Sequence, residues 1–95
     1  MGPHIQTEAN PDDLLVKTIL NGQVMQESRT SDLIFPCRTL ISYLSRQFTL
    51  LPGTLILTGT PPGVGFARKP PVFLRPGNRV EVEIEGVGIL SNPVE

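Results

Sequence analysis

Thr58-Gly59-Thr60-Pro61-Pro62-Gly63-Val64-Gly65 is the segment best equipped for chemistry, with hydroxyls and glycines directly after an apolar run. Glycines let a backbone approach a ligand closely, and successive loop N–H groups beside hydroxyls can cradle a carboxylate or phosphate. The same residues also make a tight surface loop, and composition alone favours that plainer reading. Nucleotide-binding versions fail on spacing. A Walker loop needs Gly-Lys followed by Ser or Thr, which is absent, and a dinucleotide fingerprint starting at Gly63 needs glycine where Arg68 stands. Arg68 and Lys69, just past the loop, either hold a second acidic group of a substrate or form an exposed basic loop.

Three other groups invite a chemical reading. Glu81, Glu83 and Glu85 alternate along one segment, which puts three carboxylates about 7 Å apart on one strand face. Hard cations favour clustered oxygens, but Val80, Val82 and Ile84 between them make this the wet face of an amphipathic strand. His4 is the only histidine, so any Ser-His-Asp or Cys-His set has to use a residue at the N-terminal end. Cys37 falls on an apolar stripe, where a cysteine is a small core residue rather than a nucleophile.

Elements to position the glycine loop can be read on both sides of it. Residues 4 to 13, with Pro11 and Asp12-Asp13, read as an extended entry and a turn. Leu14 to Leu20 is rich in strand formers, and Asn21-Gly22 supplies the two positive φ angles of a type I′ hairpin, which makes Gln23 to Glu27 the return strand. After the polar break Thr30-Ser31-Asp32, Pro36 suits a first helical turn. Cys37, Leu40, Ile41 and Leu44 at i, i+3, i+4 and i+7 then predict a helix that buries this stripe against a sheet and turns Ser42, Ser45 and Arg46 outward. The helix should stop near Gln47 to Thr49, before the Pro52-Gly53 turn.

Thr54 to Thr58 reads as a compact buried strand that delivers the chain into the loop. Arg75-Pro76-Gly77-Asn78 matches a type II turn, Arg79 to Glu85 a strand with one wet face, and Ile89 to Val94 a final short strand. The fold class that results is mainly β with one helix. No internal repeat or interdomain linker interrupts it.

Size and charge bound the rest. A chain of 95 residues buries only about 60 to 65% of its unfolded surface, so its core is thin. Ten Pro and nine Gly between short apolar runs favour strands and turns over a helical bundle. A formal charge of −1 gives no footprint for nucleic acid. One cysteine excludes an intrachain disulfide framework and fits a reducing compartment, the cytoplasm. No apolar run approaches the roughly 18 residues of a membrane span, and no signal-peptide region opens the chain, so no membrane partner is expected.

Taken in order, several motifs carry a family resemblance: Asn21-Gly22, Thr30-Ser31-Asp32-Leu33-Ile34-Phe35, Leu40-Ile41-Ser42-Tyr43-Leu44-Ser45, Pro52 to Gly65, Pro76-Gly77 and Val82 to Gly88. The chain resembles the C-terminal part of fumarylacetoacetate hydrolase family proteins over nearly its whole length. Leu57-Thr58-Gly59-Thr60-Pro61-Pro62-Gly63-Val64-Gly65 is the most specific element.

The resemblance implies part of a mixed β-sandwich or β-roll, residues 1–95 being the C-terminal portion of a single catalytic domain whose N-terminal metal-binding portion is absent. It implies a cofactor, Mg²⁺ or alternatively Mn²⁺ or Ca²⁺, and a small diketo or 2-oxo (enol) acid substrate such as an acylpyruvate. That substrate's C–C bond is hydrolysed, or the acid is isomerised or decarboxylated. A homo-oligomer, often a dimer, is implied as well. Thr60 matches the family threonine that holds the substrate carboxylate, and Gly59 supports that loop. No catalytic residue and no metal ligand is expected in this segment. The family's metal carboxylates lie upstream of the Gly-Pro that here is Gly2-Pro3, and Glu81 to Glu85 match a different strand. His4 stands where the family has Trp or another bulky apolar residue. An enzyme portion, inactive by itself, and a non-catalytic β-rich interaction module or truncated family member both fit these residues.

Overall fold

Asn21 (φ 50°) and Gly22 (φ 82°) close the two-residue hairpin that their types predict, between β1 (Leu15–Leu20) and β2 (Gln23–Arg29). The computed structural model describes residues 1–95. β3 (Arg79–Ile84) adds to the other side of β1, and β4 (Gly88–Pro93) to β3. All pairs are antiparallel, and the sheet order is β2-β1-β3-β4. The turn before β3 also forms as expected. Gly77 sits at φ 90°, and the Asn78 N–H donates to the Arg75 carbonyl at 3.0 Å.

The register assigns the sheet faces, because residues directly opposite one another share a face. Val16, Ser28 and Ile84 lie on one face with Thr18, Gln26, Val82 and Leu90. Lys17, Glu27 and Glu83 lie on the other with Ile19, Glu81 and Ser91. A bulge interrupts the hairpin: Thr18 pairs with Gln26, but Ile19 pairs with Val24, which leaves Met25 as the extra residue of β2.

The helix α1 (Cys37–Gln47) ends where expected, with Phe48 N–H donating to the Leu44 carbonyl at 3.1 Å. Pro36 is its N-cap rather than its first helical residue and has no side chain to cap with. Asp12 supplies what Pro36 lacks: its Oδ1 accepts the Cys37 N–H at 3.0 Å, and its Oδ2 accepts from Arg38 Nε and Nη2. A carboxylate there also complements the positive end of the helix dipole.

Two expectations fail. Thr54–Thr58 is not a strand: an extended run becomes one only when a neighbour takes its N–H and C=O groups, and no segment here does so. Leu57 in that run is 88% exposed. The apolar stripe of α1 is not buried against the sheet either. Cys37, Leu40 and Leu44 are half-buried, Ile41 is exposed, and the extensive contacts between elements are those among the strands alone. None of the 95 residues is fully buried, so the sheet face and the helix stripe form no common core.

Candidate functional site

Gln26 and Arg68 tie the glycine loop to β2. Gln26 Nε2 donates to the Thr60 hydroxyl oxygen at 2.9 Å and to the Pro61 carbonyl at 2.8 Å. The Arg68 guanidinium donates to the Gly63 carbonyl at 3.1 Å through Nε and to the Met25 carbonyl through Nη2. Glycine is required at Gly63, where φ is 107° and a Cβ would lie 2.4 Å from the Met25 carbonyl oxygen. The bulge therefore has a use: it presents the Met25 carbonyl to Arg68 and the Gln26 amide to Thr60.

Thr58 to Pro62 line a groove of about 710 Å³ together with Ser28, Arg29, Asp32, Phe35, Leu40 and residues of the sheet face that carries Val16 and Ile84. That volume lies in the roughly 300–1,000 Å³ range of small-molecule sites. Gly59 sits at φ 104° with open space where a side chain would stand. The backbone N–H groups of Gly59 and Thr60 make no hydrogen bond within the chain. Thr60 and Gly59, the substrate-binding residues expected from sequence, are thus together on one groove wall with donors available.

Arg29, opposite Leu15 in the register, pairs with two acidic groups beside the groove. Its Nε donates to Asp13 Oδ1 at 2.7 Å and its Nη2 to Glu85 Oε2 at 3.3 Å. The hydrogen bond from Arg29, reinforced by its charge, holds the Asp13 carboxyl below the usual carboxylate range. The same pairing raises the Arg29 guanidinium. Ser28 Oγ donates to Asp32 Oδ2 at 2.9 Å, and both residues line the groove.

The basic pair after the loop divides. Arg68 is half-buried and engaged with two backbone carbonyls, so the substrate-holding role weighed for it from sequence does not fit its position, while Lys69 is exposed. Sequence reasoning missed Gln26, Ser28 and Arg29 altogether. Strand alternation marks Gln26 only as one residue of a hairpin arm, and only the bulge register puts it under the loop.

The acidic side chains do not fit a metal centre of this chain's own. Asp12 caps α1, Asp13 and Glu85 hold Arg29, and Asp32 accepts from Ser28. Glu27 pairs with Lys17 at 3.9 Å, and Glu81 accepts from Ser91 at 3.3 Å on the face away from the loop. No three His, Cys, Asp or Glu residues converge on a common point. Cys37 Sγ lies 3.9 Å from the Pro11 carbonyl, and exposed His4 rests against Gly88. Neither has an acid–base partner in this structure. No helix is long and apolar enough to cross a membrane.

The sequence model of the fumarylacetoacetate (FAA) hydrolase C-terminal family matches residues 1–95. A fumarylacetoacetate hydrolase domain-containing protein 2 homolog of Dictyostelium discoideum is 52% identical over 94% of this chain and 30% of its own length. A mitochondrial oxaloacetate tautomerase of Bos taurus is 47% identical over 99% of this chain and 31% of its own. The chain thus spans about a third of the length of the curated relatives it matches. Among solved structures, 5-carboxymethyl-2-hydroxymuconate delta-isomerase from Mycobacterium smegmatis superposes with TM-score 0.84 at 46% identity, covering 97% of this chain and 34% of that one. Maleylpyruvate hydrolase from Sphingobium sp. SYK-6, in complex with manganese(II) and pyruvate, gives TM-score 0.83 at 35% identity, covering 97% and 33%.

Proposed function

Because the chain belongs to the fumarylacetoacetate hydrolase family, we propose that it forms the carboxylate-binding side of an active site for diketo or 2-oxo (enol) acids, acylpyruvates among them. In this reading it is the C-terminal portion of a catalytic domain that cleaves a C–C bond or rearranges its substrate. An N-terminal portion, on the same or another chain, supplies the carboxylates for Mg²⁺, Mn²⁺ or Ca²⁺. The activities named for the tautomerase, isomerase and hydrolase relatives agree with an oxo-acid substrate class.

One observation carries the reading. Gly59 and Thr60 line the groove, and their backbone N–H groups have no partner in the chain. A carboxylate on the Thr60 side would receive charge-assisted hydrogen bonds, which are stronger than neutral ones. Thr60→Val keeps the volume and removes a bond worth about 1.5–3 kcal/mol. In the complete enzyme, made by joining this chain to a family N-terminal portion, kcat/KM for an acylpyruvate should fall roughly ten- to a hundredfold. Metal affinity and melting temperature should stay close to the parent. Unaltered kinetics would return the glycine loop to a simple turn.

A further inference from the structure

We propose that Gln26 is a positioning residue that directs the Thr60 hydroxyl proton into the groove; the proposal rests on the carboxylate reading of Thr60. The geometry allows one assignment of the Gln26 amide. The Pro61 carbonyl only accepts, so the group 2.8 Å from it is the amide nitrogen. The same nitrogen is 2.9 Å from Thr60 Oγ1, so at that contact the hydroxyl is the acceptor. Its own proton therefore points away from Gln26, on the side where Thr60 lines the groove. Accepting one hydrogen bond also makes a hydroxyl a better donor of the next.

The arrangement depends on a strand irregularity. Gln26 stands next to the extra residue Met25, on the sheet face it shares with Thr18 and Val82. Arg68, donating to the Met25 and Gly63 carbonyls, holds the loop at the height where one amide spans two successive loop residues. Thr60 is 34 residues away in sequence, so its rotamer is set from the sheet and not by its neighbours.

Two substitutions remove the donors in different ways. Gln26→Met keeps length without charge. Gln26→Glu keeps shape but offers a carboxylate, which takes the Thr60 proton for itself and repels the substrate anion. Both are compared with Thr60→Val and with the Thr60→Val, Gln26→Met double variant in the complete enzyme, with an acylpyruvate as substrate.

Each single variant should raise KM by roughly tenfold or more, with kcat within about twofold of the parent, as expected when binding to a spectator group is lost. In the Thr60→Val background Gln26→Met should add less than about threefold, because the two act through one hydrogen bond. The KM penalty of Gln26→Glu should shrink as pH falls toward about 4.3, where a protonated carboxyl again donates; this pH readout stands even if the methionine variant folds poorly.

Equal losses from Gln26→Met in both backgrounds would overturn the proposal, since Gln26 would then act through the fold. A penalty from Thr60→Val with none from either Gln26 variant would also overturn it and leave the carboxylate reading intact. Unchanged KM in Thr60→Val removes the carboxylate reading and this proposal together.

Discussion

At the residue scale, the glycine loop depends on backbone conformations, and β2 carries one ion-pair cluster beside it. Gly63 and Gly59 both lie at φ above 100°, yet their surroundings differ. A methyl group at Gly63 meets the Met25 carbonyl, while one at Gly59 meets nothing within 4 Å. Gly63→Ala should therefore break the loop from β2 and cost about 2–4 kcal/mol, more than the roughly 1–3 kcal/mol of backbone strain alone expected for Gly59→Ala. Urea midpoints of the complete enzyme check the order; equal losses would mean that the clash at Gly63 is relieved by movement. The Asp13–Arg29 pair has a pH signature. Arg29 depresses the Asp13 carboxyl in the folded chain, so the stabilisation is complete above the unfolded value, about 3.9, and is lost as pH falls through the folded one. Asp13→Asn should lower the urea midpoint at pH 7, and the two proteins should converge at pH 2. A gap that persists at pH 2 would show that Asp13 matters for something other than its charge.

At the element scale, α1 is held at its N-terminal end by a residue 25 positions upstream. Asp12 accepts from the Cys37 N–H and also pairs with Arg38, at 2.8 Å. The Arg38 side chain is 78% exposed, so the ion pair contributes little. The cap is the stronger term: Asp12→Ala should cost about 1 kcal/mol and Asp12→Asn, which keeps an acceptor, distinctly less. Denaturant titration followed by far-UV circular dichroism measures both, and equal losses would transfer the effect to the Arg38 pair. Similar reasoning applies to Thr54–Thr58. Its continuous apolar run is that of a buried strand, but a strand exists only with a partner, and in this chain the run stays extended and solvated.

At the scale of the whole molecule, the surface is too large for the mass. The chain exposes 7407 Å², about 2,000 Å² more than the roughly 5,400 Å² expected for a compact monomer of this size. Its radius of gyration, 15.1 Å, likewise exceeds the roughly 12.4 Å of a compact 95-residue domain. The excess includes Ile34, Leu57 and Phe66, all more than four-fifths exposed, and the free outer edges of β2 and β4. Exposed apolar area and open strand edges drive association, and a net charge of −1 opposes it weakly. By itself the chain should sediment as oligomers or aggregates at micromolar concentration and bind a hydrophobic dye. A monodisperse monomer with one cooperative unfolding transition would contradict this.

The sequence by itself determined the features that one or two residues control. Asn21-Gly22 and Pro76-Gly77 specify their turns because each demands a positive φ that few residue types tolerate. The helix over Cys37–Gln47 and the shared face of Glu81 and Glu83 follow from periodicity, although those two side chains are as half-buried as Val80 and Val82, and the Leu57 to Gly65 string carried the family. Only the tertiary structure decided which groups face the loop. A one-residue bulge at Met25 moves every later side chain of β2 to the opposite face. That shift brings Gln26 to Thr60 and gives Arg68 a backbone role, across separations of 34 and 43 residues. Such contacts depend on register and on the whole path of the chain between the two partners, and no local pattern encodes either.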